Sequence, residues 1–386
     1  MLKKKPFLVV SPAYPPPLIG GSIVYIYSLL ENSYLKFDIL TSENATLESD
    51  KKYSRHNVFR KRWIHFSAES PKILLIRSYF YQLFWIIMHR KKYEFILANS
   101  EVIQNSLIII VGNLIGIKVI PLSYAEELTV PLYNNKIKSN FKKFLLKRFY
   151  PKAYRHISCC HFAKDILKNN FMIKDELINL IPVPFNSKKI KLKNKNNKLK
   201  SGYKLLSVGR LVKRKGFAEL INVVKIMKVN FPLLELNIVG TGPLENYLKK
   251  KVLDEDLGSY VTIHGKVSDE FLNELYIKSD IFILAHRMLD NGDTEGSPTT
   301  FAEAGFYKLP SIGGINSGAS TIIDDKKTGF IIDMKNEEKI ISTIKNLLNN
   351  QLLIKKMGDT AYKKIINEHN PKIIGAHFSI ILQNMK

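Results

Sequence analysis

The stretch Asn186–Gly202, NSKKIKLKNKNNKLKSG, divides this chain of 386 residues. It is rich in Lys and Asn and poor in apolar side chains, so it cannot bury enough surface to fold and reads as a linker. On either side of it, short apolar runs alternate with stretches of helical length. That alternation predicts a parallel sheet with helices on both faces. Because it stops at the linker and restarts beyond it, the fold class is α/β with two doubly wound units. Their expected bounds are residues 1–185 and 203–386, joined by 186–202, with the last helix free to return to the first unit. A chain of this length is also too long for one ordinary core.

The first half opens with an expected strand at Pro6–Ser11, a loop over Pro12–Gly21 and a helix from Ser22 to about Asn32. Apolar runs at Phe37–Thr41, Phe95–Ala98, Lys118–Leu122, His156–Cys160 and Leu180–Val183 read as further strands. In the second half the strands expected are Tyr203–Val208, Leu234–Val239, Val261–His264, Ile281–Ala285, Pro310–Ile312 and Gly329–Ile332. Two such units joined by a linker are expected to take a ligand in the cleft between them, facing the carboxyl ends of both sheets.

Composition narrows the compartment and the partners. The apolar content is 45% and the aromatic content 11%, as in a globular protein. Cys159 and Cys160 are the two cysteines. Adjacent cysteines rarely bridge, so a reducing compartment is expected and both are read as buried strand residues. The basic start is followed by an apolar run too short for a signal peptide, and no run reaches the length of a membrane span. A cytoplasmic protein is expected. The net charge is +25, and it is uneven. Residues 1–195 carry 32 Lys and Arg against 13 Asp and Glu, a net +19; the rest carry a net +6. The first half is the one suited to an anionic surface.

The chemistry concentrates at strand ends in the second half. Glu295-Gly-Ser-Pro-Thr-Thr-Phe-Ala-Glu303 holds two carboxylates eight positions apart across a turn that enters a helix. Ser297 is the expected N-cap and Pro298 fits the first turn. Free amides and the positive end of the helix dipole make an anion site, while carboxylates accept hydrogen bonds from hydroxyls. A nucleotide-sugar has both features. Val208-Gly-Arg210-Leu-Val-Lys-Arg-Lys215-Gly216 follows a strand and offers Arg210 and Lys215 to a diphosphate. Lys213 and Arg214 read as a basic surface loop. Gly240-Thr-Gly242 and His264-Gly265-Lys-Val267 repeat the strand-to-turn geometry, and Gly20-Gly21 does so in the first half.

These segments together resemble the nucleotide-binding domain of family 4 of the retaining glycosyltransferases, enzymes of GT-B architecture with two Rossmann-like domains facing across a cleft. The matching pieces are VGRLVKRKG (208–216), IVGTGPLE (238–245), IHGKVSDE (263–270), DTEGSPTTFAEAG (293–305) and DDKKTGF (324–330). They cover roughly residues 203–332; the first half matches more loosely. The resemblance implies that Arg210 and Lys215 hold the donor diphosphate and that Glu303 binds the ribose hydroxyls. It implies that Glu295 faces the donor sugar, orienting it without acting as nucleophile. Thr299, Thr300 and Phe301 would offer backbone amides to sugar and phosphate. Val267 and the Gly240 turn would line the nucleotide, and Gly20 and Gly21 would approach the phosphate. No cofactor and no metal is implied, the nucleotide-sugar being a substrate. Two positions depart from the family pattern. Its first-domain His-Gly-x-Glu appears here as Tyr124-Ala-Glu126-Glu127, with Tyr124 in place of the His near the donor sugar. A Glu common before the Asp-Gly-x-Thr-Gly stretch is replaced by Thr321.

The acceptor side is read from Pro71–Tyr93 and Lys136–Arg155, which mix basic with aromatic and aliphatic residues. Such stretches suit an anionic leaflet, or else a core helix with a solvated basic face. The expectation is a retaining transferase moving a hexosyl or N-acetylhexosaminyl group from a nucleotide diphosphate, UDP first, to a glycan or lipid-linked acceptor. A peripheral position on the inner face of the cell membrane goes with it. The alternatives are another GT-B enzyme, such as a nucleotide-sugar epimerase or a phosphorylase, and a non-catalytic polyanion binder. Nucleic acid is not an expected partner, because no aromatic-basic stacking module is present.

Overall fold

The computed structural model describes residues 5–15, 21–43, 54–65, 71–186 and 202–385. Gly20 and most of the Lys/Asn-rich stretch lie outside them. The chain forms two compact units, Met1–Pro184 with Pro371–Lys386, and Phe185–Asn370.

The first unit runs β1 (Phe7–Val10), α1 (Gly21–Asn32), β2 (Phe37–Ser42), β3 (Asn57–Lys61), α2 (Lys72–Met88), β4 (Phe95–Ala98) and α3 (Val102–Ile115). It continues through β5 (Lys118–Ser123), α4 (Glu126–Tyr133), α5 (Ile137–Phe149), β6 (His156–Ser158), α6 (His161–Phe171) and β7 (Ile178–Leu180). All strands are parallel, in the order β3-β2-β1-β4-β5-β6-β7. Chain order reverses between β1 and β4, which sets a topological switch point there. The central strands FLVV and FILA are buried on both faces, which is why they read as unbroken apolar runs.

β3 was not legible in the sequence. Its residues NVFRK are polar at both ends and half-exposed, as befits an edge strand. β7 begins and ends earlier than the apolar run 180–183 suggests. There Ile178–Leu180 pair with β6, and Ile181 adds one bond to Ser158.

The second unit runs β8 (Tyr203–Val208), α7 (Phe217–Met227), β9 (Leu234–Val239), α8 (Glu245–Asp254), β10 (Val261–Ile263), α9 (Asp269–Lys278) and β11 (Ile281–Ile283). Then come α10 (Thr299–Phe306), β12 (Ser311–Gly314), α11 (Ala319–Ile322), β13 (Gly329–Ile332), α12 (Glu337–Leu348) and α13 (Gln351–Glu368). Its parallel sheet has the order β10-β9-β8-β11-β12-β13, with the switch point between β8 and β11. Each sheet organises its own apolar core.

The last helix, α14 (Pro371–Asn384), belongs to the first unit, so the second unit ends before residue 386. Gly375 lets it approach α1 closely, since a Cβ there would sit 2.1 Å from the Asn32 carbonyl oxygen. Ser379 Oγ bonds Ser33 Oγ at 2.6 Å and accepts from the Tyr34 amide, and Phe378 stacks on Phe37. Among the described residues no helix is long and apolar enough to cross a membrane.

Candidate active site

The second unit's site is assembled by glycines that let loops lie directly on one another. After β8 the chain turns at Gly209, whose amide bonds Val239 O, and Leu211 N bonds Thr241 O. Gly240 has φ 139°, and a Cβ on it would fall 1.9 Å from the Gly209 oxygen. Only glycine fits there. Gly242 lies close on Leu211, where a Cβ would fall 2.6 Å from the carbonyl oxygen. The loop after β10 joins the same stack through Gly240 N to Gly265 O, and Val267 is half-buried against the core. These loops all leave carboxyl ends of strands, where open α/β sheets bind ligands.

The Arg210–Gly216 segment then crosses the end of β11. Lys213–Lys215 form a short 3-10 turn closed by Gly216 in the left-handed region, φ 70°, pressed on the Ala285 carbonyl. Arg287 N bonds Arg214 O at 2.9 Å. This crossing delivers two adjacent cations to one carboxylate. Arg214 Nε donates to Glu295 Oε1 at 2.6 Å and Lys215 Nζ to Oε2 at 2.9 Å. Glu295 and Lys215 are both buried. Burial pushes the Glu295 carboxyl up, but Lys215 and Arg214 outweigh it and hold the group below its ordinary value. Glu295 is therefore a fixed anion at neutral pH. Asp293 lies 3.6 Å from Arg214, and burial raises its pKa.

The surface-loop reading of Arg214 is thus corrected: it is half-buried and clamps Glu295. Arg210 differs from both neighbours, being exposed with no side-chain partner among the described residues. Lys213 is exposed.

The segment before α10 also differs from expectation. Ser297 does not cap the helix. Pro298 occupies the N-cap position, no side chain caps the turn, and the Ser297 and Thr300 hydroxyl oxygens are buried without a protein partner. Phe301 N donates to Pro298 O, so its amide is already used and cannot serve a ligand as the sequence suggested. The Thr299 and Thr300 amides remain without a protein acceptor among the described residues. Phe301 is instead a core ring, edge-on to Phe282 and His286. Glu303 lies one turn into α10 and accepts from Tyr276 Oη at 2.8 Å; burial raises its pKa even so.

His286, three residues beyond the end of β11, was missed in the sequence. It is fully buried, which lowers its pKa to about 4. A neutral ring can donate from one nitrogen only. Nδ1 lies 3.0 Å from Leu284 O and Nε2 2.6 Å from Ser317 Oγ, whose hydroxyl donates to Gly314 O at 2.9 Å. Ser317 sits in the loop whose Gly318 amide bonds Glu295 O. The histidine thereby pins the backbone that carries Glu295. A polar residue directly after the run IFILA was the available signal.

The first unit's switch point carries uncharged groups. Tyr124 Oη donates to Asn99 Oδ1 at 2.6 Å, and Asn99 Nδ2 donates to Ser11 Oγ at 2.9 Å. Ser11 and Asn99 directly follow β1 and β4. Burial raises the Tyr124 pKa well above normal, so it stays a phenol. The next residue, Ala125, has φ 137°, a region disfavoured for any residue with a Cβ. Glu127 holds this turn by accepting from the Tyr124 amide at 2.6 Å and the Ala125 amide at 3.1 Å. Gly21 is the first residue of α1; it is exposed, and nothing lies within 4 Å of where its Cβ would be. Thr321 is buried in α11. Cys159 and Cys160 are free and buried, and Cys160 caps α6. Among the described residues no three His, Cys, Asp or Glu side chains gather as metal ligands.

Residues 188–364 match the model of the glycosyl transferases group 1 family. The chain is 27% identical over 210 residues to the amylovoran biosynthesis glycosyltransferase AmsK of Erwinia amylovora, covering 54% of this chain and 51% of that one. It is 29% identical over 145 residues to a GDP-mannose-dependent alpha-(1-6)-phosphatidylinositol monomannoside mannosyltransferase of Mycobacterium tuberculosis, covering 37% and 38%. The chain thus spans about half the length, or less, of the curated relatives it matches. Across 99% of both chains it superposes on sucrose-phosphate synthase from Thermosynechococcus elongatus with TM-score 0.76 at 16% identity. It superposes on Anabaena HepE in complex with UDP with TM-score 0.74 at 13% identity, covering 98% and 100%. The fold is GT-B.

Proposed function

We propose, on the premise that the second unit belongs to the glycosyl transferases group 1 family, that this protein is a retaining glycosyltransferase. It moves a hexosyl or N-acetylhexosaminyl group from a UDP-sugar to a hydroxyl of a surface-glycan or lipid-linked acceptor, at the inner face of the membrane. The observation that carries the reading is the ionised Glu295, clamped by Arg214 and Lys215 in the segment that leads into an uncapped helix N-terminus. Unused amides, two unpartnered hydroxyls and the helix dipole suit a phosphate, and fixed carboxylates suit sugar hydroxyls.

In this mechanism Arg210, Lys215 and the amides of Thr299 and Thr300 hold the diphosphate and stabilise the charge that grows on it as the glycosidic bond breaks. The departing phosphate oxygen takes the acceptor's proton on the same face of the sugar. Both oxygens of Glu295 are bonded to cations, so it orients the sugar and stabilises its developing positive charge without attacking it. Glu303 takes the ribose hydroxyls through the oxygen that Tyr276 leaves free. Tyr124, a phenol at the first unit's strand ends, tunes which donor sugar is preferred.

A second reading has GDP-mannose as the donor, because the mycobacterial relatives are named as GDP-mannose-dependent. One experiment separates the two. Purified protein is screened against UDP- and GDP-sugars by thermal shift. The stabilising donor is then supplied with an acceptor, and the product anomer is read by NMR. A shift with UDP-sugars and retention at the anomeric carbon support the first reading. A shift with GDP-mannose alone replaces its donor. Inversion rejects the mechanism.

A further inference from the structure

We infer that the face of the first unit formed by α2 and α5 is a docking surface for an anionic lipid bilayer. The connections β3→β4, β4→β5 and β5→β6 all step in one direction across the sheet, so right-handed crossovers place α2, α3 and α5 on one face. α2 packs beside α3, and α3 beside α5.

α2 exposes an apolar stripe on that face. Ile73, Ile76, Phe80, Phe84, Ile87 and Met88 recur at helical spacing and lie outward, Phe80 70% and Phe84 61% exposed. Its other side is anchored in the core by Leu83, Trp85 and Ile86. An exposed stripe of this size on a helix already docked to its own unit calls for an external apolar phase.

The charges on this face select which phase. α2, α3 and α5 contain no Asp or Glu. On α5, Phe141 and Phe144 stand exposed among Lys138, Lys143, Lys147 and Arg148, which have no acidic partner among the described residues. Lys142 differs, being paired with Glu101. In the turn after β3 the half-exposed Trp63 ring is flanked by Arg62 at 4.9 Å and by Arg77 of α2 at 5.0 Å. Aromatic rings beside cations are interfacial anchors, apolar below and paired with headgroups above. A second copy of this face would bring cation against cation, which disfavours self-association. A bilayer rich in anionic headgroups complements both the stripe and the charge. The helices would lie in the plane of the interface. The inference rests on the lipid-linked acceptor reading for its purpose: it would hold the enzyme where such an acceptor is presented.

Full-length protein is co-sedimented with phosphatidylcholine vesicles, with and without about 30% phosphatidylglycerol. It is compared with Phe80→Ser/Phe84→Ser and with Lys138→Gln/Lys143→Gln/Lys147→Gln/Arg148→Gln, all changes at solvent-accessible side chains. The wild type is expected to bind the anionic vesicles at low salt and to lose binding at about 0.5 M salt. Each variant is expected to bind at least tenfold more weakly, with an unchanged thermal shift on adding the nucleotide. No vesicle binding by the wild type overturns the inference, as does undiminished binding by either variant. A concentration-dependent dimer abolished by Phe80→Ser/Phe84→Ser also overturns it. Vesicle binding without any nucleotide shift leaves the surface standing and sinks the transferase reading instead.

Discussion

The two sheets share one plan and differ in what stands at the switch point. In the first unit Ser11, Asn99 and Tyr124 form a chain of uncharged hydrogen bonds beside the strained Ala125, and the Glu127 carboxyl is taken up by the backbone amides of that turn. In the second unit the loops from the strand ends hold the ion pairs of Glu295 with Arg214 and Lys215, and glycine takes the backbone positions that a Cβ would not allow. The same strand order around the switch point therefore delivers different chemistry, set by the few residues that follow each strand. Fixed charges suit a ligand that is itself charged, which in the proposed function is the diphosphate. Neutral donors and acceptors suit discrimination among sugar hydroxyls.

The largest effect expected from breaking this contrast is on turnover. Glu295→Ala should lower kcat by about 10²–10³-fold, the usual effect of removing a preorganised charge from a developing transition state. Nucleotide affinity should change little, whereas Glu303→Ala should mainly weaken nucleotide binding. Steady-state kinetics with the stabilising donor checks this, and equal KM and kcat defects in the two variants would refute the division of roles.

A second test uses the buried histidines. His286 in the second unit and His156 in the first are each lowered to about 4 by burial. The unfolded chain takes up their protons first as pH falls. Stability should therefore drop between the ordinary histidine pKa of about 6.5 and the folded value, by about 2 kcal/mol per histidine between pH 6.5 and 5. His286→Gln should flatten the second unit's share of that slope. Glu295 does not contribute in this window, since its depressed pKa matters only below the ordinary carboxylate range. Urea melts at the two pH values read the slope, and an unchanged slope in the variant would show that His286 is not neutral in the fold.

The smallest expected effect concerns Ala125. Its positive φ costs about 1–3 kcal/mol, and glycine would relieve that while adding about 0.5–1 kcal/mol of chain entropy to be lost on folding. Ala125→Gly should stabilise the first unit by about 1 kcal/mol, read by urea denaturation. A destabilised variant would mean that the turn held by Glu127 is not strained.

The contrast also explains what was legible in the sequence. Buried parallel strands are apolar on both faces, so β1, β4, β8 and β11 stood out; the edge strand β3 did not, because half its surface meets solvent. Glu295, Glu303 and Lys215 were singled out because helix-start and loop residues have local signatures, and the structure joins Glu295 to Lys215 in an ion pair. Arg214 was misread because its role depends on Gly216 folding the loop across β11, a long-range contact. Ser297 failed as a cap because Pro298 took the N-cap position. Asn99 and His286 were within reach, as polar residues ending apolar runs.

The most direct test of the central claim is nucleotide binding in one variant from each unit. Isothermal titration of the nucleotide diphosphate, without sugar, is compared for the wild type, Lys215→Ala and Asn99→Ala. Loss of one charge-assisted contact, about 1.5–3 kcal/mol, predicts at least a tenfold weaker Kd for Lys215→Ala and an unchanged Kd for Asn99→Ala. Wild-type affinity in Lys215→Ala together with lost affinity in Asn99→Ala would contradict the account.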